Sequence, residues 1–202
     1  MTSFAAAVFL LLVTPGPGVL SIAGVGSGFG YRAALRFFVG LFVGTNLVVL
    51  LIITGLAAIL IAVPGLRIVL FALSTAYILY LAVRIALAGS SLSFAKMERA
   101  PGFGDAVILQ LINPKADVVN STLFLGFAFM PGSPATEVAL KLLVVNAIWI
   151  PIHLLWLAFG VTLKRLEVSP RAHTVINVVM AMAMAAVVGI AAFAQFSGAG
   201  LP

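Results

Sequence analysis

Five polar residues interrupt a long apolar stretch of this chain, and their types could support chemistry. They are Asn113, Pro114, Lys115, Asp117 and Asn120, and the stretch runs from Gly104 to Met130. Polar and ionisable groups at membrane depth are expensive, so they mark function by default. Pro114 removes a backbone donor, and the carbonyl groups it frees survive in a bilayer only where they face protein or a wet cavity. The stretch therefore predicts a broken helix that binds a small solute.

The spacing of three of these residues predicts one polar face. On an unbroken helix Asn113, Asp117 and Asn120 stand at positions i, i+4 and i+7, so they lie on the same side. Asp117 is a candidate partner for the ammonium group of a zwitterionic solute, or a group that carries a proton during a transport cycle. The alternative is a structural ion pair with Lys115 or Arg84. Lys115 lies about 200° from Asp117 on a regular helix, so direct pairing requires the break to reorient one of them.

A second break is predicted near the N-terminus. The run Thr14, Pro15, Gly16, Pro17 and Gly18 puts two prolines and two glycines inside an apolar span. A regular hydrogen-bond ladder cannot continue through this run, so the helix kinks or unwinds there. Packing alone explains a kink, but the clustering of four such residues favours a binding site. The helix N-termini after both breaks are suited to a substrate carboxylate, and the carbonyl ends before them to an ammonium group.

The composition places these residues in a membrane. Of 202 residues, 63% are hydrophobic and 8% are charged, which is too little polar surface to coat a soluble domain. The net charge of +6 comes from basic residues at the ends of apolar segments, where they set topology and do not indicate nucleic acid. The chain has no Cys and two His, which excludes a disulfide framework and disfavours a soft-metal site or metal cofactor. The N-terminus lacks the basic start of a signal peptide, so its first apolar segment is expected to be retained.

Six apolar segments are each long enough to cross a bilayer. They run from Phe4 to Val25, Leu35 to Val63, Leu66 to Leu87, Gly104 to Met130, Val138 to Leu163 and Thr174 to Phe196. Each has roughly twenty residues or more, which at ~1.5 Å per residue spans a hydrocarbon core of ~30 Å. We therefore expect an all-α integral membrane protein with one transmembrane transporter domain over residues 1–202. Its halves, 1–87 and 104–196, are joined by the loop 88–103.

Two halves of three spans each enter the membrane from opposite sides, so related halves form an inverted repeat. A shift of 99 to 100 residues places Pro15 on Pro114 and Asn46 on Asn146. The identity between the halves is weak, and coincidence is the alternative; the paired helix breaks carry more weight. Asn46 and Asn146 are candidates to line the same cavity, with hydrogen bonding between helices as an equal alternative.

Two further features have ordinary explanations. Gly40 and Gly44 have the small-xxx-small spacing of close helix packing. His153 lies between Trp149 and Trp156, where a proton relay is one interpretation and a satisfied polar residue in the bundle is the more ordinary one.

Several motifs occur in the order found in one protein family. They are Thr14-Pro15-Gly16-Pro17, Gly30 with Arg32, Gly40 and Gly44, the run Ala76-Tyr77-Ile78-Leu79-Tyr80-Leu81 with Arg84, and Asn113-Pro114-Lys115-Ala116. By these the chain resembles the LysE/RhtB amino-acid exporters. The resemblance implies a six-helix exporter of amino acids or similar small solutes, not an enzyme, driven by the proton gradient in a bacterial inner membrane. Gly18 and Asp117 depart from the family pattern, and both lie at the predicted site.

Other functions fit the residues less well. An intramembrane aspartyl protease needs two carboxylates within spans, and Asp117 is alone there. A metal-ion exporter of similar architecture would use oxygen ligands from Asp117, Asn113 and Asn120. A single carboxylate supplies little negative charge for binding a divalent ion. A membrane scaffold that transports nothing leaves the paired breaks without a role.

The distribution of basic residues predicts that both termini lie outside the cytoplasm. The connections after segments one, three and five contain Arg32 and Arg36, Lys96 and Arg99, and Lys164, Arg165 and Arg171. The opposite side has only Arg67 and Lys141. Short cytoplasmic loops carry an excess of Lys and Arg, so the first set is cytoplasmic. The expected partners are a small-molecule substrate, protons, the lipid bilayer and a second copy of the chain.

Overall fold

The computed structural model of the protein describes residues 1–55, 64–87, 99–130, 132–165 and 169–196. These residues form helices and no strand, which confirms the all-α fold class. The helices are α1 (Thr2–Val13), α2 (Pro17–Phe29), α3 (Tyr31–Ile53), α4 (Pro64–Leu87), α5 (Phe103–Leu111), α6 (Pro114–Leu125), α7 (Pro134–Arg165) and α8 (Pro170–Phe196).

Both predicted helix breaks are present. The first predicted segment is divided into α1 and α2, which are bent by 49° relative to each other. The fourth is divided into α5 and α6. Pro17 and Pro114 each stand at the start of the second piece, where the missing N–H costs nothing because a first-turn amide has no partner within the helix. The residues before them, Gly16 and Asn113, are extended, so the chain changes direction there.

Most helix boundaries differ from the predicted segments, and three of the differences are the clearest. Helix α3 ends at Ile53, followed by Gly55 with φ of 73°, and residues 56–63 of the predicted second segment lie outside the described residues. Helix α6 ends at Leu125 and not at Met130. Helix α7 is longer at both ends than the predicted fifth segment. Most of the loop 88–103 also lies outside the described residues.

A buried ion pair stabilises the irregular chain after α6. Lys141 and Glu137 are 2.8 Å apart on the first turns of α7. The Lys141 ammonium donates to the carbonyl oxygens of Phe124, at 3.0 Å, and Phe127. Glu137 accepts from the backbone N–H groups of Phe129, at 3.0 Å, and Met130. These side chains satisfy backbone groups that no helix pairs, so non-helical chain is tolerated here.

Two described helical stretches are long and apolar enough to cross a bilayer unbroken, Tyr31–Ile53 and Pro134–Leu163. The bent pair α1 and α2 makes a third if it counts as one span. Large apolar side chains such as Leu125 and Leu155, exposed by 70% and 69%, form the outer surface, as expected of a protein surrounded by lipid. The count of six spans stays a prediction.

Close glycine contacts align the helices that carry the breaks. A Cβ at Gly40 of α3 would clash with the Phe103 carbonyl oxygen and lie 2.7 Å from the Cβ of Ala106, and a Cβ at Gly44 would lie 2.7 Å from the Cβ of Gln110. The small-xxx-small stripe therefore packs α3 directly against α5, with both helices running the same way. Gly160 of α7 makes an equally close contact with the backbone of Ala23 in α2. Each broken span thus lies against an unbroken helix of the other half.

Candidate functional site

The two helix breaks open into one cavity. The space between its walls, counted together with the open mouth, is about 430 Å³. The end of α1, the start of α2, the facing parts of α3 and α7, and the break between α5 and α6 line it. Its polar side chains are Thr14, Thr45, Gln110, Asn113, Lys115, Asn120 and His153.

The sequence-predicted residues divide into two groups. Those that line the cavity are Thr14, Gly16, Pro17, Gly18, Asn113, Lys115 and Asn120. Pro15 and Pro114 lie in the breaks but are not among the lining residues, and Asn46, Asn146 and Asp117 are not either. The structure therefore brings the two breaks together and leaves part of the predicted set outside.

Lys115 connects the two breaks. Its ammonium group donates to the carbonyl oxygen of Thr14, at the end of α1, and lies 3.5 Å from that of Pro15. The side chain crosses over Gly16, where a Cβ would lie 2.6 Å from the Lys115 Cδ and 3.1 Å from Nζ. Glycine at this position leaves room for the lysine. The carbonyl end of α1 therefore already holds a positive charge, contributed by the other half of the chain.

A buried amide chain continues from the second break. Asn113 Nδ2 donates to Gln110 Oε1 at 3.0 Å, and Gln110 Nε2 donates to the hydroxyl oxygen of Thr45 on α3. Asn113 Oδ1 accepts the N–H of Lys115 at 3.1 Å, which caps the start of α6. The side chains of Thr45, Gln110 and Asn113 are almost fully buried. The network holds the break in one geometry and presents amide and hydroxyl oxygens to the cavity.

The sequence interpretation did not identify Gln110 or Thr45. Gln110 is a polar residue inside an apolar helix, three residues before Asn113, and that spacing was the available signal. Thr45 follows Gly44 in the packing stripe and carries no signal of its own.

His153 and Trp149 form one wall. Their rings are stacked, with centroids 3.6 Å apart and planes at 14°. His153 Nδ1 lies 2.9 Å from the Trp149 carbonyl oxygen. A carbonyl only accepts, so Nδ1 carries a hydrogen and Nε2 is left as an acceptor in the neutral ring. Nε2 points towards the start of α2, where a Cβ at Gly18 would lie 3.9 Å from it.

Two helix N-termini also face the cavity. Gly18 and Val19 in the first turn of α2, and Lys115 and Ala116 in the first turn of α6, are lining residues. First-turn amides have no acceptor within their own helix, and the macrodipole places partial positive charge there. Together with Lys115 they make this side of the cavity suited to an anionic group.

Asp117 does not belong to this arrangement. Its side chain is partly exposed, and among the described residues it makes no hydrogen bond or ion pair. The predicted shared face assumed an unbroken helix, but Asn113 is the extended residue before α6, so helical periodicity begins only at Pro114. Asn120 does line the cavity, and its amide donates to the Ala116 carbonyl oxygen at 2.7 Å.

Asn46 and Asn146 pair with each other. Asn46 Nδ2 donates to Asn146 Oδ1 at 3.3 Å, and Asn146 Nδ2 donates to Asn46 Oδ1 at 3.0 Å. This geometry fits the second sequence interpretation, hydrogen bonding between helices.

For a metal exporter the structure offers little, because the described residues contain no group of three or more His, Cys, Asp or Glu able to hold an ion.

Comparison with known proteins gives one match. The family model described as LysE type translocator matches residues 9–197, nearly the whole chain. No curated protein and no solved structure matches significantly.

Proposed function

Since this chain belongs to the LysE type translocator family, we propose that it exports amino acids or related small zwitterionic solutes in exchange for protons. Membership makes it a multi-pass membrane transporter of a small molecule. One observation supports the finer proposal: two broken helices meet at one cavity, and its lining contains helix N-termini, a lysine and acceptor groups. A zwitterion needs both kinds of partner within a few ångströms of each other.

The carboxylate of the substrate binds at the start of α2 and α6. The amides of Gly18 and Val19 lie in the first turn of α2, where no acceptor of their own helix reaches them, and Lys115 supplies a full positive charge at the same cavity. Asn113 adds a side-chain amide held by Gln110. Backbone and charged donors together bind carboxylates in short, strong hydrogen bonds.

The ammonium group of the substrate donates to acceptors on α3 and α7. The oxygen of Thr45 and Nε2 of His153 are available there. Nε2 accepts either a hydrogen bond from the substrate or a proton, and it cannot do both at once. Competition between substrate and proton for one atom is what antiport requires. We therefore propose His153 as a group for proton coupling, and Asp117, which lies outside the cavity lining, stays the alternative that the sequence predicted.

The membrane potential supplies enough energy for this exchange. Moving one charge across the membrane yields ~2.3 kcal/mol per 100 mV, so one proton per cycle supports roughly a fiftyfold gradient of substrate at that potential.

We also propose one six-span domain of two inverted halves in a bacterial inner membrane, with both termini outside the cytoplasm. Arg32, Arg36 and Arg99 are exposed at helix ends on the side assigned to the cytoplasm. Lys141, counted on the other side, is 2% exposed and bound by Glu137, so it adds no surface charge there. A reporter fused after Pro202 that is active only in the cytoplasm should be silent, and activity would reverse the topology.

Transport from loaded proteoliposomes tests the function. Vesicles containing the protein are loaded with a panel of amino acids, and efflux is followed with and without an imposed proton gradient. We expect efflux of at least one amino acid to increase with the gradient. A divalent cation panel run in parallel is expected to show no protein-dependent flux. Cation flux without amino-acid flux would overturn the proposal.

A further inference from the structure

The charge balance of the cavity allows a more specific inference about what it accepts. Lys115 is the only Lys, Arg, Asp or Glu side chain among the described residues that line it. The described acids lie elsewhere: Asp105 pairs with Arg99 at 3.1 Å, Glu137 pairs with Lys141, and Asp117 is not a lining residue. The charge of Lys115 is therefore not neutralised by any described side chain.

The polar contacts of Lys115 do not cancel its charge. Its ammonium group is held by the carbonyl oxygens of Thr14 and Pro15, which are dipoles at the end of α1. The N-termini of α2 and α6 add partial positive charge at the breaks, and the C-termini of α1 and α5 add partial negative charge there. The full charge of Lys115 therefore decides the sign of the described lining, and it disfavours a substrate with a net positive charge.

We propose that Lys115 determines substrate charge: it binds the carboxylate and excludes solutes with a cationic side chain, so neutral and acidic amino acids are carried and lysine or arginine are rejected. This inference rests on the proposed function for its substrates. Two positive charges ~6 Å apart at an effective dielectric of ~20 repel enough to change an equilibrium constant about a hundredfold. Removing the charge of Lys115 should relax that discrimination by tenfold or more.

Gly16 provides a way to move the charge without deleting it. An alanine Cβ would lie 2.6 Å from the Lys115 Cδ, and Gly16 has φ of −158°, which alanine adopts freely. Gly16→Ala therefore forces the flexible side chain off the Thr14 and Pro15 carbonyl groups while its charge remains. Gly104→Ala is the matched control, because a Cβ there meets nothing within 4 Å.

The test measures both binding and transport for probes that differ in charge. Protein in lipid nanodiscs is titrated with propionate, threonine, glutamate and lysine, and the same amino acids are followed in proteoliposomes. The parent protein should bind the first three and discriminate against lysine by tenfold or more. In Lys115→Met the preference of threonine over lysine should fall at least tenfold and glutamate binding should weaken. Lys115→Arg and Gly104→Ala should keep the parent's selectivity, and Gly16→Ala should lose part of it.

The outcomes separate the two proposals. Charge-selective binding that depends on Lys115, without transport of any amino acid, would sink the exporter proposal and leave this inference standing. Transport with the same preference in Lys115→Met as in the parent would overturn the inference and leave the exporter. Equal binding of lysine and threonine by the parent, or no binding of any carboxylate, overturns the inference as well.

Discussion

Asn46 and Asn146 exchange side-chain hydrogen bonds in both directions, at 3.3 and 3.0 Å, although they lie 100 residues apart. The two are equivalent positions under the 100-residue shift that the sequence predicts between the halves. A two-fold axis maps each member of such a pair onto the other, so equivalent residues on the axis must meet reciprocally. The pair therefore supports an inverted repeat with its axis between α3 and α7.

This pair should contribute to stability as a unit. In Asn46→Leu or Asn146→Leu one amide loses its partner within the bundle, and each change should lower the free energy of unfolding by about 1 kcal/mol. The double variant should lose little more than either single variant, because both removed groups belong to one interaction. Thermal unfolding in detergent of all four proteins measures this coupling. Additive losses would show that the two amides act independently.

The helix breaks should be required for transport and not for insertion. Pro17→Ala and Pro114→Ala each restore a backbone N–H at the first residue of the second piece, which lets the helix continue and moves the cavity walls. We expect both variants to reach the membrane at normal abundance and to transport at a tenth of the parent rate or less. Pro151→Ala is the matched control, because Pro151 lies inside the unbroken α7 and its side chain is exposed. Normal transport by either break variant would reduce that break to a packing feature.

The sequence predicted the breaks well because proline and glycine act locally. Two prolines and two glycines between Thr14 and Gly18 interrupt a helix whatever surrounds them. The facing walls could not be predicted in the same way. Gln110 and His153 reach the cavity through the packing of α3 against α5 and of α2 against α7, which depends on close contacts at Gly44 and Gly160.

The prediction for Asp117 depended on where a helix begins, which is harder to predict than the presence of a break. Its predicted position on one face with Asn113 depended on helical periodicity, and Asn113 is the extended residue before α6. The prediction applied the periodicity of a regular helix from Asn113 onwards, although the helix begins only at Pro114. A role for Asp117 in coupling stays a prediction, and the lining of the cavity favours Lys115 and His153 for contact with the substrate.

The dependence of export on the proton gradient distinguishes a role of His153 from a role of Asp117. His153→Gln keeps a side chain able to hydrogen-bond but removes the titratable nitrogen that faces the cavity. It should abolish the response of export to the proton gradient, while exchange of labelled for unlabelled substrate continues. Asp117→Asn should retain gradient-driven export. The measurement is efflux at several imposed pH gradients, and the reverse pattern would return proton coupling to Asp117.

The ion pair of Glu137 and Lys141 should be structural and lie outside the transport chemistry. Lys141→Met leaves the carbonyl oxygens of Phe124 and Phe127 without the ammonium group that they accept from, and removes the positive partner of Glu137. A buried charge that loses its oppositely charged partner destabilises the protein more than the removal of both charges does. We therefore expect Lys141→Met to lower the Tm clearly and the double variant Glu137→Gln with Lys141→Met to recover part of that loss. Substrate selectivity of the surviving protein should match the parent, because neither side chain lines the cavity. A change in the ratio of threonine to lysine transport in Lys141→Met would instead connect this end of α7 to the site.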